Sequence, residues 1–246
     1  MADSLHIKYR FYIVYLLLGL FFPQEKWNYS AEEMDQIKFN GQKIRRLKKN
    51  VRFVKRDQII LTDNAIQYIK NDILYMNGNI IMINGLDTLT CDSMVYWSEL
   101  DSAHAFNASV ENANRGIFGD EMIIRYSGSF IEQIYVTTNA FAYNDINVRI
   151  VEDGPYRRFR DEMSSREMIA HFRDDNITQL KLMNMATTLY HVINDNLLAG
   201  NNEASGDTIR IDFTDGDIRR LQVFGGALGE FKPEGNNTKI DTTVHY

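Results

Sequence analysis

From about Val51 to Phe231 the chain is built of short runs in which apolar and polar residues alternate with a period of two, the pattern of strands that bury one face. The clearest run is Ile209-Arg210-Ile211-Asp212-Phe213; shortly after it, Leu221 and Val223 share one face while Arg220 and Gln222 share the other. Ile80-Ile81-Met82-Ile83 is bounded by the turn dipeptides Gly78-Asn79 and Asn84-Gly85. Only two stretches read as helical. One is the apolar N-terminal segment, and the other is Ala31 to Ile37, where Ser30-Ala31-Glu32-Glu33 has the form of a capping box. The loop Glu152 to Glu162, with Gly154-Pro155 as its turn, is the largest interruption.

The strand pattern repeats. Asp120 to Ala140, Arg166 to Ala186 and Asp207 to Ala227 align without a gap over 21 residues. Matched offsets carry Met122, Met168 and Ile209; Tyr126, Phe172 and Phe213; Ile131, Ile177 and Ile218; Ile134, Leu180 and Leu221; Val136, Leu182 and Val223; and a closing alanine. Between the halves stand Ser127-Gly128-Ser129, Arg173-Asp174-Asp175 and Thr214-Asp215-Gly216, which suit tight turns. Each window therefore predicts a β-hairpin or two-strand corner. Shorter copies begin at Asp63 and Asp92, each an acid followed by an apolar and then an aromatic position. A unit that buries one face per strand cannot do so alone, so the units must stack into an elongated all-β body with a shared apolar interior. Its interior is either filled by its own side chains or left partly open as a groove. Its ends carry unpaired strand edges that are available to a partner.

Composition narrows the function. The 246 residues include 27 Lys+Arg against 33 Asp+Glu, a net charge of −6, so no general basic field exists to gather nucleic acid. The single cysteine, Cys91, excludes an internal disulfide and a Cys-based zinc cluster. Lys8 and Arg10 precede the apolar run Phe11 to Phe22, the order of a signal peptide, whose roughly 18 Å of helix is short of a ~30 Å bilayer core. No small-residue cleavage pair follows Phe22, so residues 1–30 read as a signal peptide or a retained inner-membrane anchor, with a buried core helix as the third reading. In the first two cases the remainder is exported. Residues 31–50 then read as a basic linker in which Lys43, Arg45, Arg46, Lys48 and Lys49 are solvated or meet anionic headgroups, with Arg52 and Lys55 continuing the charge. Residues 51–235 form the β domain and 236–246 a tail.

Catalytic chemistry finds little support. The five histidines, His6, His104, His171, His191 and His245, have no metal-ligand spacing, and strand parity puts His171 on the outward face. The recurrent acids Asp63, Asp92, Asp120 and Asp207 could form a glycan-cleaving carboxylate pair, but recurrence at one place in every unit fits turn capping. Gly225-Gly226 with Gly229 follows a strand and opens no helix, so it reads as a backbone turn. No catalytic residue, cofactor or metal is assigned.

The acid-apolar-aromatic-turn pattern resembles the OstA-like family, most closely in Gly206-Asp207-Thr208-Ile209 and in Val223-Phe224-Gly225-Gly226-Ala227-Leu228-Gly229-Glu230-Phe231. That family includes the periplasmic lipopolysaccharide-transport (Lpt) proteins of LptA and LptC type, and the resemblance spans roughly Val51 to Pro233. It implies an elongated, twisted β-jelly roll in the periplasm whose apolar interior holds lipopolysaccharide acyl chains. It also implies partnership with other Lpt proteins, or with further copies, through edge-to-edge strand pairing. The chain lacks a long C-terminal barrel sequence, so insertion into the outer leaflet is not implied. The inward-facing residues expected to line the groove are Met122, Ile124, Tyr126, Ile134, Val136, Ile209, Ile211, Phe213, Leu221 and Val223; each reads equally well as an ordinary core residue. A non-catalytic assembly module with a filled core is the competing function.

Overall fold

The computed structural model describes residues 26–234 apart from Ser129 and Asp215. The apolar run Phe11 to Phe22 and the tail 236–246 lie outside the described residues. Sixteen strands follow one another: β1 (Asn28–Ser30), β2 (Glu33–Phe39), β3 (Gln42–Lys55), β4 (Gln58–Tyr68), β5 (Ile73–Asn84), β6 (Asp87–Trp97), β7 (Ser102–Glu111) and β8 (Arg115–Ser127). They continue as β9 (Phe130–Thr138), β10 (Ala140–Arg149), β11 (Tyr156–Ser165), β12 (Glu167–Arg173), β13 (Asn176–Asn194), β14 (Leu197–Thr214), β15 (Asp217–Phe224) and β16 (Leu228–Pro233). All belong to one sheet, antiparallel except for a single parallel pair, Arg149 with Leu197.

The sheet is creased down its middle. Register shifts interrupt β3–β4 between Lys48 and Val51, β4–β5 between Leu61 and Asn64, and β5–β6 between Asn77 and Ile80. Each long strand thus contributes its two halves to two flaps that face one another. Flap one runs β2-β3-β4-β5-β6-β7-β8-β9-β12-β13-β14-β15. Flap two carries β1, the other halves of the long strands, then β10, β11 and β16. At about 4.8 Å per strand, the twelve strands of flap one span roughly 50 Å, so the body is elongated.

The repeated acids hold the crease. Asn79 Nδ2 donates to Asp63 at 2.8 Å, Asn107 to Asp92 at 2.7 Å, Asn139 to Asp120 at 2.5 Å and Asn184 to Glu167 at 2.9 Å. All four asparagines have positive φ, between 46° and 64°, the left-handed conformation that asparagine tolerates and that turns the strand from one flap into the other. In the last unit glycine takes the asparagine's place. Gly225 has φ 71°, a Cβ there would lie 2.2 Å from the Asp207 carboxylate, and Asp207 N–H donates to its carbonyl at 2.8 Å. These carboxylates are structural clasps.

The three aligned windows are the hairpins β8–β9, β12–β13 and β14–β15. Their matched offsets are cross-strand partners: Met122 with Val136, Met168 with Leu182, Ile209 with Val223; then Ile124 with Ile134, Ala170 with Leu180, Ile211 with Leu221. A bulge follows at the same place in each, beyond which Tyr126, Phe172 and Phe213 pair with Ile131, Ile177 and Ile218.

Two expectations are corrected. Residues 33–39 form strand β2 instead of a helix, and residues 42–50 lie in β3 instead of a linker, so among the described residues the sheet begins at Asn28 and not at Val51. The capping-box signal is overridden by pairing. Along β2–β3, Arg46 donates to Asp35 at 2.8 and 2.5 Å and Lys49 to Glu33 at 2.5 Å, so Glu33, an acid of the capping-box pattern, serves instead as a cross-strand partner. Arg45 turns inward, donating to Gln67 Oε1 at 2.5 Å beneath the Tyr29 ring.

Candidate functional site: an apolar hollow between the flaps

The facing sides of the flaps bury one apolar cluster running from Trp27 to Ile211. Over β3 to β9 the cluster is closed: Phe53, Ile60, Leu74, Tyr96, Ala103, Met122 and Ile124 are all inaccessible. Trp27 seals its start, packing edge-on against Tyr96 at 5.4 Å and Phe53 at 6.2 Å while its Nε1 donates to Ser98 Oγ at 3.1 Å. The flap edges opposite the crease are also tied. Lys55 Nζ of flap two reaches Asp101 of flap one at 3.1 Å, and Tyr96 Oη donates to the same carboxylate at 3.0 Å. Farther along, Arg115 of flap two donates to the Asp175 carbonyl at 2.7 Å, lies 3.7 Å from Asp87, and sits over the Phe172 ring. The Asp175 carboxyl is raised above its ordinary value, first by burial and then by Asp87, with Arg115 opposing.

Beyond Arg115 the flaps separate around a cavity of about 830 Å³. Flap one supplies Phe172, Ile177, Leu180, Phe213, Ile218 and Leu221; flap two supplies Ile117, Ala142, Ile146, Met163 and Val192. The rim is polar: Arg115, Asn144, Asn176, Tyr190, Asp195, Asn196, Asp217, Arg219 and Arg220. Burial raises the Tyr190 phenol. In the cavity wall β11 and β13 pair only through Glu162–Leu189, Met163–Thr188 and Ser164–Thr187. Past that point the Asp161 carboxylate bridges the gap, accepting from His191 N–H and facing its Nδ1, both at 2.9 Å.

The ten residues singled out by periodicity all join the interior, in two groups. Met122, Ile124, Tyr126, Ile134, Val136, Ile209 and Ile211 are buried in the protein's own core. Phe213, Leu221 and Val223 are half-buried against it, and of these Phe213 and Leu221 line the cavity. The other lining residues were not singled out. Phe172, Ile177 and Ile218 occupy matched offsets of the repeat, and that was the available signal. The flap-two residues Ile117, Ala142 and Met163 fall outside every aligned window. His171 faces away from Ala170, in register with Gln133 and Gln179, consistent with the outward parity expected of it.

The cavity combines apolar walls from both flaps with polar residues around them, and its volume is of ligand-pocket size. No family model matches the chain, and no curated protein does. Among solved structures, the chain is similar to the crystal structure of LptH, the LptA homologous periplasmic component of the conserved lipopolysaccharide transport device from Pseudomonas aeruginosa, with a TM-score of 0.40 and 11% identity over 56% of this chain and 82% of that one.

Proposed function

We propose that this chain is a periplasmic carrier that holds the acyl chains of lipopolysaccharide, or of a similar acylated lipid, on the way from inner to outer membrane. The observation that carries the reading is the cavity beyond Arg115, with its apolar walls from both flaps and its polar rim. Each methylene moved from water onto such walls gains roughly 0.8 kcal/mol, so binding needs no catalytic group, and a trough open on one side leaves sugars and phosphates in water. The sequence resemblance to the OstA-like family agrees. Edge pairing with Lpt-type partners is supported by β15 and β16, which end the two flaps with Phe224, Leu228 and Phe231 respectively 50%, 72% and 48% exposed. The test is photocrosslinking in cells, with a benzophenone amino acid in place of Ile218 in the full chain. A covalent lipopolysaccharide adduct is expected, and none with the reagent at exposed Leu86 on the outside of the closed region. Equal labelling at both positions would count against the reading.

A further inference from the structure

Resting on that lipid-binding reading, we infer that the trough is closed at its N-terminal end: an acyl chain enters and leaves only through the gap between the flap edges beyond Arg115, and the packed strands before Arg115 form a closed stop. Three observations converge. Interior side chains of β3 to β8, such as Phe53, Leu74 and Tyr96, are wholly buried in one another. Lys55–Asp101 and Arg115–Asp175 tie the flap edges on that side, whereas beyond Arg115 the cavity lies between them. At the start of the body Trp27 and the Tyr29–Arg45–Gln67 stack close the interior, and Gln67 donates on to Asp72 at 2.6 Å.

A closed stop changes what the protein can do in a transfer series. A link in the middle of a relay needs a passage that a hydrocarbon tail can traverse from one neighbour to the next. A trough open only there receives its cargo and releases it through the same gap, bordered by the turn residues Asn176, Asn196 and Asp217, so donor and acceptor must use that end in turn, or one of them must be the membrane surface itself. The chain is then a terminal member of the series, and the strands before Arg115 serve as a rigid mount.

The test uses the full chain and lipopolysaccharide bearing a diazirine near its acyl termini, with adducts mapped by peptide mass spectrometry after irradiation. Adducts confined to peptides carrying Phe172, Ile177, Phe213 and Ile218 are expected. Adducts on Leu74, Met94 or Tyr96 would overturn the one-ended trough while leaving lipid binding standing; no adduct anywhere overturns both. Two variants sharpen the result. Ile218→Trp at the mouth is expected to cut labelling at least tenfold, and Tyr29→Ala at the closed start to leave it unchanged. A tenfold loss in Tyr29→Ala would show that cargo passes the N-terminal end.

Discussion

Strands β3 to β9 pack into a solid core, whereas β10 to β15 border a hollow. In β3 to β9 the two flaps bring large side chains face to face, Phe53 and Ile60 against Leu74 and Tyr96, with Tyr126 Oη pointing across at Met82 Sδ, 3.6 Å away. In β10 to β13 the second flap brings Ala142, Ile146, Met163 and Val192 to the cavity, and its strands β11 and β13 pair through only three residues each. The filled and hollow regions thus differ in how far the pairing of the second flap runs unbroken.

The largest expected difference between the regions is in stability. Phe53→Ala should cost about 3 to 5 kcal/mol in urea unfolding, as a truncation in a fully packed core does. Phe213→Ala, on the cavity wall, should cost less than half of that while abolishing lipid crosslinking at position 218. Equal losses would erase the distinction between solid and hollow. Next comes the crease, which both regions share. Asp120→Ala leaves Asn139 without its partner at positive φ and should cost about 1 to 2 kcal/mol, whereas Asn139→Gly, which needs no clasp to hold that conformation, should lose less than about 1 kcal/mol. If the two variants lose the same amount, the clasp contributes nothing beyond backbone preference.

The smallest effect concerns pH. On the outer side of β10, Asp145 accepts from Arg160 Nε at 2.8 Å and from Arg158 at 2.5 Å; these bonds, that to Arg160 first, hold its carboxyl down at about 2 against burial. Because the folded value lies below the ordinary 3.8, its contribution is fully present above about pH 4 and is lost as the pH falls towards 2. Amide exchange along β10 and β11 should therefore quicken over that interval while β4 and β5 stay protected, and Asp145→Asn should show the quicker exchange already at neutral pH. A uniform response along the sheet would mean that charge does not single out the hollow region.

Much of this architecture was legible in the residues. The matched offsets proved to be cross-strand partners, and the aromatic position proved to be the one that follows the bulge, because a hairpin repeated in tandem must repeat its own register. The recurrent aspartates were read as turn-capping groups; they are structural, but they clasp the mid-strand crease through Asn79, Asn107 and Asn139. What periodicity did not reveal was the state of the interior, since Ile124 in the core and Phe213 on the cavity wall obey one rule of parity; their surroundings are set by the opposite flap, hundreds of atoms away along the chain. Ala142 and Met163 lie on strands with a mixed pattern, Tyr-Arg-Arg-Phe-Arg among them, where ion pairs on the outer side stand in for a polar face. The helix expected over Ala31 to Ile37 failed for a related reason. A local cap signal cannot compete with a neighbouring strand that offers seven cross-strand residue pairs.

The acid-to-asparagine clasp has one more implication. Because each clasp closes within a single up-and-down pair of strands, a pair can be gained or lost in evolution without redesigning its neighbours, lengthening or shortening the body by roughly 10 Å at a time. Length of the body then becomes a matter of gene duplication rather than of new folding problems, and the spacing from Asp63 to Asp92 to Asp120 is the ruler by which such a history would be read.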